Sequence, residues 1–222
     1  MSKPTSPPAA SPLQTFISSY RLADRSPAPD PYLHLALQVA HNLRYQHQWE
    51  QITIHHTSPT TPFAPLPRPL ISGLPPRRIY VHPDEQIEQV KLGDQRREAR
   101  KNGGGDAADE DEDDEEPEPE REWILPTHLR ERWSLKQMAA VFDEVSHEPP
   151  EVDDPQAGTE LFPQEGQPAN AGSGSARETS SGEPVLKNKW RTTKRVLLAT
   201  VDDDSTIVFY ITHDGIVKPR QN

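Results

Sequence analysis

The sequence has no cysteine, and it has no apolar stretch that approaches the ~18 residues that a membrane-spanning helix needs. The first absence excludes disulfides, thiolate metal sites and a cysteine nucleophile. Residues 1–12 are rich in proline, serine and alanine, with one lysine and no apolar core, so they do not resemble a signal peptide. We therefore expect a soluble chain of the cytosol or nucleus.

Apolar residues are also scarce. They make up 32% of the 222 residues, against about 45–50% in typical globular chains, and 25 residues are proline. The segments with apolar periodicity are 30–92, 122–146 and 189–220, which is about 120 residues in all. This predicts one compact domain with long tails and inserts.

The net charge of −11 comes from one segment. Residues 106–122 hold twelve acids and one arginine, also a net of −11, so the rest of the chain sums to zero. A nucleic-acid binder with an extended footprint usually carries a clear basic excess. The balanced remainder argues against that class.

The local patterns predict a tail, a series of helices and strands, and two inserts. Residues 1–29 read as a disordered tail in which Leu13–Leu22 can form a short docked helix. Asp30 and Pro31 begin a helix that runs to about residue 46 or 49, and Ser134 and Gln137 form a capping box for a second. Further predictions are strands at 49–56, 78–82 and 122–126, an extended loop at 57–76, a polar helix or turn at 83–92, and disordered inserts at about 93–121 and 147–188.

The C-terminal block carries the strongest pattern. Val196–Val201 is nearly all apolar, and residues 206–212 alternate, with Ile207, Phe209 and Ile211 on one face. This predicts a hairpin with a buried first strand and an amphipathic second strand, followed by a turn and a short strand at Ile216 and Val217. A sheet edge so close to the chain end invites pairing with another chain.

Three blocks together resemble a known family. Trp123–Thr127, the helix at 134–145 and Thr193–Thr212 are similar to the C-terminal nuclease-like domain of tRNA-splicing endonucleases. They are most similar to the small structural subunit of the eukaryotic enzyme, the one numbered fifteen, in its fungal form, and Leu70–Glu85 also resembles fungal members. The resemblance implies an α/β (α+β) fold, a small mixed sheet with flanking helices. It would form one domain over 30–220, interrupted by the inserts.

The resemblance also implies partners. The family forms a four-subunit complex that excises introns from precursor tRNA, with two cutting and two structural subunits. This chain would pair, edge to edge, with the catalytic subunit numbered thirty-four, and its acidic loop would reach the other half of the complex. The implied interface residues are Asp202, Asp203, Asp204, Ile207, Phe209, Ile211, Ile216 and Val217. Contact with precursor tRNA would be indirect, no cofactor or metal is implied, and the isolated chain could self-pair as a homodimer. The expected compartment is the nucleus, with the cytoplasmic surface of mitochondria as the alternative.

The same resemblance argues against catalysis. The family's cutting subunits use a Tyr, a His and a Lys. Lys194 or a neighbour matches the Lys, but the place of the His is 118–122, which is acidic, and no matching Tyr loop is visible. We therefore predict a non-catalytic subunit, in which Lys194 and Arg195 could at most contact an RNA backbone.

Simpler interpretations stand beside these. Asp202–Asp204 suits an ordinary solvated turn, and Lys194 and Arg195 an exposed strand start. His41, His47, His55 and His56 lack partners with metal-site spacing and are expected at helix ends and strand surfaces. The acid run reads as a solvated linker, and it also supports an alternative function as an acidic, chaperone-like module for basic proteins.

Overall fold

The computed structural model describes residues 9–24, 30–61, 64–102, 117–152, 154, 158–163 and 188–215. They form one six-stranded sheet with helices on both faces. The helices are α1 (Pro12–Asp24), α2 (Pro31–Tyr45), α3 (Pro83–Asn102) and α4 (Leu135–Glu144). The strands are β1 (Glu50–Thr57), β2 (Pro65–Leu74), β3 (Glu122–His128), β4 (Thr159–Glu160), β5 (Arg195–Val201) and β6 (Ile207–His213). None of the described helices combines the length and hydrophobicity that a bilayer span requires.

The sheet is mixed, with the strand order β4-β1-β2-β3-β5-β6. β3 and β5 run parallel, and every other neighbouring pair is antiparallel. The α+β class with a small mixed sheet and flanking helices is therefore confirmed.

The apolar core lies in two layers, one on each face of the sheet. α2 covers one face, and α1 docks beside it through the buried Ile17. α4 covers the other face with Val141 and Phe142. Strand alternation sends Ile124 of β3 into the first layer and Trp123 into the second. The central strands are thus buried from both sides, as their long apolar runs indicate.

The predicted helix starts are confirmed. The Asp30 carboxylate accepts the Tyr32 backbone N–H at 2.9 Å, and proline follows at the first helical position. Ser134 and Gln137 make the reciprocal bonds of a capping box. Leu135, the first residue of this helix, points to solvent and is 91% exposed.

Two predictions between residues 57 and 82 are wrong. The proline-rich segment predicted as a loop contains β2, the strand between β1 and β3. Its prolines alternate at 65, 67 and 69, so the missing N–H groups face one side of the strand only, and the β3 pairing starts beyond them at Ile71. Residues 78–82, predicted as a strand, lie outside the sheet, where Arg78 pairs with Glu85 and Glu120.

The predicted tail and inserts contain described structure. α1 lies within 1–29, α3 continues through Gly93 to Asn102, and β4 pairs with β1 from within 147–188. β4 has only two residues, too few for a periodic pattern, so the sequence alone gave no signal for it.

The surface position predicted for His55 is wrong. It is buried, its Nδ1 accepts the Gly158 backbone N–H at 3.2 Å, and Nε2 lies 2.8 Å from the Ser72 hydroxyl oxygen. Because Nδ1 accepts, the neutral ring carries its hydrogen on Nε2 and donates it to Ser72. Burial, aided by the nearby Arg121 and His56, lowers the pKa of His55 to about 3.

The buried His55 predicts a stability loss in acid. Its folded pKa of about 3 is depressed below the ordinary 6.5, so between these values the unfolded chain binds more protons. The contribution is complete above pH ~6.5 and is lost as pH falls, by about 2–3 kcal/mol near pH 4.5. Denaturant titrations across this range should show that slope in the wild type and a shallower one in His55→Gln, which keeps a donor toward Ser72. Equal slopes would contradict a buried neutral histidine.

Candidate functional site: an open sheet edge and a buried ion cluster

β6 forms one edge of the sheet, and among the described residues nothing pairs with its outer side. The Thr206 carbonyl accepts the Asp202 N–H, and the Asp214 N–H donates to the Lys194 carbonyl, both at 2.9 Å. Backbone groups alternate in direction along a strand, so even-numbered residues face β5. The N–H and C=O groups of Ile207, Phe209 and Ile211 therefore point to the open edge.

The side chains of these three residues point toward the core and not toward the open edge. All three are partly buried against the chain's own first core layer, and the Phe209 ring meets the His47 ring edge-on at 5.2 Å. The structure thus brings the predicted interface residues to the edge through their backbone, while their side chains support the fold. Ile216 and Val217, also predicted for this interface, lie outside the described residues.

The exposed apolar side chains of the strand are Val208 and Tyr210, 45% and 56% exposed. Tyr210 sits opposite Leu198 of β5 in the ladder, on the face that α4 covers farther in. Val208 and Tyr210 were not among the predicted interface residues, and their face also carries Thr206 and Thr212. The alternation of side chains along the strand was the signal from which their exposure could have been predicted.

Asp202 and Asp204 shape the loop between β5 and β6. Asp202 accepts the Asp203 N–H at 2.7 Å, and Asp204 accepts the Thr206 N–H at 2.8 Å. The second bond holds the pKa of the Asp204 carboxyl below its usual value. These are turn-forming bonds of the kind that favour aspartate at such positions.

Asp203 is anchored on the end of β3. Its carboxylate contacts Arg130 and lies 3.3 Å from His128 Nε2. The Arg130 N–H donates to His128 Nδ1 at 3.2 Å, which orients the ring toward the acid. The loop is therefore held within this chain, and its contact with a neighbouring subunit stays a prediction.

A buried ion cluster lies at the other end of β3 and β5. Arg195 Nε donates to Glu122 at 3.1 Å, and its Nη2 bonds both Glu122 and Glu120. Arg191 reaches the same two carboxylates at 3.3 Å and also donates to the His147 carbonyl. Burial alone would lower the pKa of Arg195, but its contacts with Glu122 and Glu120 outweigh this and raise it. The guanidinium therefore stays charged.

Arg78 extends the cluster toward the surface. It pairs with Glu120 at 2.8 Å and with Glu85 at 2.5 Å, and it donates to the Glu118 carbonyl. Tyr80 lies under the Arg195 guanidinium, 5.4 Å from ring centroid to Cζ. A cavity of about 570 Å³ borders this group, lined in part by Arg78, Glu120 and Arg191. The last acids of the 106–122 run are thus partners of arginines in the fold.

Both basic residues considered for RNA contact are engaged. Lys194 Nζ donates to the Phe142 carbonyl at 2.7 Å, which ties the start of β5 to α4. Arg195 is buried between two carboxylates and an aromatic ring, so it offers no free face to a phosphate. Within the described residues, no three His, Cys, Asp or Glu side chains are grouped so that they could hold a metal ion.

The buried ion cluster predicts a large loss of folding stability when its central acid, Glu122, is replaced. Glu122→Gln leaves two buried guanidiniums with one fewer carboxylate, a loss of about 3–5 kcal/mol in the free energy of unfolding. Glu88→Gln is the matched control, because it breaks an exposed pair with Lys189 and should cost no more than about 0.5 kcal/mol. Urea denaturation of both variants measures the difference, and similar small losses would show that the cluster is not a stability element.

The comparisons with known proteins give the chain a family. A family model described as Sen15 protein matches residues 38–156 and 179–222. A curated relative, the probable tRNA-splicing endonuclease subunit tsp-1 of Neurospora crassa, is 40% identical over 187 residues, 83% of this chain. The match covers 64% of that relative's own length. These findings confirm the family resemblance of the three sequence blocks: the chain belongs to the Sen15 family.

Proposed function

We propose that this chain is a non-catalytic structural subunit of a tRNA-splicing endonuclease. It pairs with a catalytic subunit and positions it for intron excision from precursor tRNA. Membership of the Sen15 family and the similarity to the Neurospora tRNA-splicing endonuclease subunit support a place in that enzyme complex. The geometry of β6 supports the pairing role.

The open edge of β6 is the observation that carries the proposal. It offers the backbone groups of Ile207, Phe209 and Ile211 in the spacing that a partner strand needs. Val208 and Tyr210 lie beside these groups, exposed, so a partner that adds a strand also covers apolar surface. Backbone pairing supplies the register, and the two side chains supply the apolar contact.

The ion cluster supports a non-catalytic role. Cleavage of a phosphodiester by general acid–base catalysis needs groups that can exchange protons near the attacking and leaving oxygens. At the family's lysine position Lys194 is bonded to a backbone carbonyl, and at the histidine position Glu120 and Glu122 are paired with arginines. Such groups hold the fold together, and their bonds within the chain leave them poorly placed to exchange protons with a substrate.

The pairing proposal predicts separation of subunits when the exposed face of β6 is charged. Val208→Glu with Tyr210→Glu should weaken pairing with the co-expressed catalytic subunit by more than about 2 kcal/mol, because two carboxylates would be desolvated in an apolar contact. Copurification and mass in solution measure the effect. Phe209 is unsuitable for this test, since its side chain belongs to the chain's own core.

Val90→Glu is the matched control. Val90 is also an exposed valine, 58% exposed, but it lies on α3 away from β6, and this change should leave pairing intact. Retained pairing in the doubly charged β6 variant would contradict the proposal. Loss of pairing in both variants would show that the effect of charge is not specific to β6.

The non-catalytic role predicts the outcome of a cleavage assay. The purified chain should leave precursor tRNA intact. The complete four-subunit enzyme carrying Lys194→Ala in this chain should retain its cleavage rate within about threefold, because the lysine Nζ is engaged by a backbone carbonyl. A loss of 100-fold or more with the assembly still intact would place Lys194 in the chemistry and overturn this part of the proposal.

A further inference from the structure

The β1 side of the sheet is covered by a short segment of this chain, Gly158–Phe162, called here the closing segment. Glu160 pairs with Thr53 and Thr159 with Ile54, and the Leu161 N–H donates to the Ile52 carbonyl at 2.9 Å. These backbone contacts lie on the outer side of β1 at residues 52–54. The segment comes from a proline- and glycine-rich part of the sequence with no strand pattern.

Gly158 fits the edge because it has no side chain. Its N–H donates to Nδ1 of the buried His55, and a Cβ placed on it would lie 1.8 Å from the Ile54 carbonyl oxygen. No real Cβ approaches an oxygen so closely, so any other residue must move this end of the segment off β1.

Leu161 and Phe162 anchor the other end on the helices. Both are partly buried against the first core layer. The Phe162 ring stacks on Phe16 of α1 at 4.9 Å and meets Tyr45 of α2 edge-on at 5.8 Å. The closing segment thus has three kinds of contact, a glycine against the strand, a short ladder and an aromatic anchor. Together they describe a site that takes an extended chain with glycine followed at the third and fourth positions by leucine and phenylalanine.

We propose that the closing segment is a built-in edge strand that seals the β1 side, so that this chain associates through β6 alone. An uncovered strand edge is a template for pairing with another chain. A sheet open on both sides could add copies at each edge and grow, whereas a sheet open on one side stops at a pair. The β1 edge is therefore a second strand-docking site whose occupant is the chain's own Gly158–Phe162.

Two full-length variants test this, Gly158→Val for the glycine contact and Phe162→Ser for the aromatic anchor. Both should lose amide protection at Leu161, whose N–H donates to the Ile52 carbonyl, with exchange about tenfold faster or more. Both should also self-associate, with an apparent mass that at least doubles as concentration rises. A synthetic peptide of residues 158–163, added in excess, should reverse this, and the same peptide with valine for the glycine should not.

A combined variant distinguishes this proposal from the proposed pairing through β6. Combined with Val208→Glu and Tyr210→Glu, the Gly158→Val variant should still self-associate, because the exposed edge is β1. Variants that exchange faster but keep the wild-type mass at every concentration would overturn the proposal. So would self-association that the peptide leaves unchanged. Global unfolding of both variants would show that the segment is an inseparable part of the core, and this result would also overturn the proposal.

Discussion

The buried pairing of Glu122 with Arg191 and Arg195 is the constraint on which the centre of the fold depends. Glu122 begins β3 and Arg195 begins β5, the one parallel pair among the described strands, and the two residues are 73 positions apart in the chain. Parallel neighbours cannot be joined by a tight turn, so other contacts must set their register. Two guanidiniums around one carboxylate do this, because a buried charge is stable only when it is fully paired.

The same ion cluster also bears on the proposed role, because it stabilises one end of the sheet. At the shared end of β3 and β5 this chain carries charges that are neutralised internally. The proposed role needs a rigid sheet end there, and a saturated ion cluster provides one. Lys194, bonded to the Phe142 carbonyl, serves the same purpose by joining β5 to α4.

The two edges of the sheet differ, because β6 is open and β1 is covered by a segment of the chain. At β6 the backbone of Ile207, Phe209 and Ile211 is open while their side chains fill the core, so strand addition there leaves the fold unchanged. At β1 the closing segment fills the edge, and its glycine lies too close to the Ile54 carbonyl for any side chain. Such asymmetry favours an assembly with a fixed number of subunits, because an edge without a cover is a template for further strands.

The sequence by itself determined the helix caps at Asp30 and Ser134, the β5–β6 hairpin and the family, because capping, alternation and turn chemistry act between residues close in the chain. It could not place β2, whose prolines read as a loop, or β4, which is too short for a pattern. Only the tertiary structure decided that His55 is buried, 103 positions from its partner Gly158, and that Arg195 belongs to Glu122. Burial and ion pairing depend on which distant residues meet, and composition does not encode that. The open edge was predicted from alternation, but which side chains it exposes followed from packing: the first core layer partly buries Ile207, Phe209 and Ile211, and Val208 and Tyr210 on the other face stay exposed.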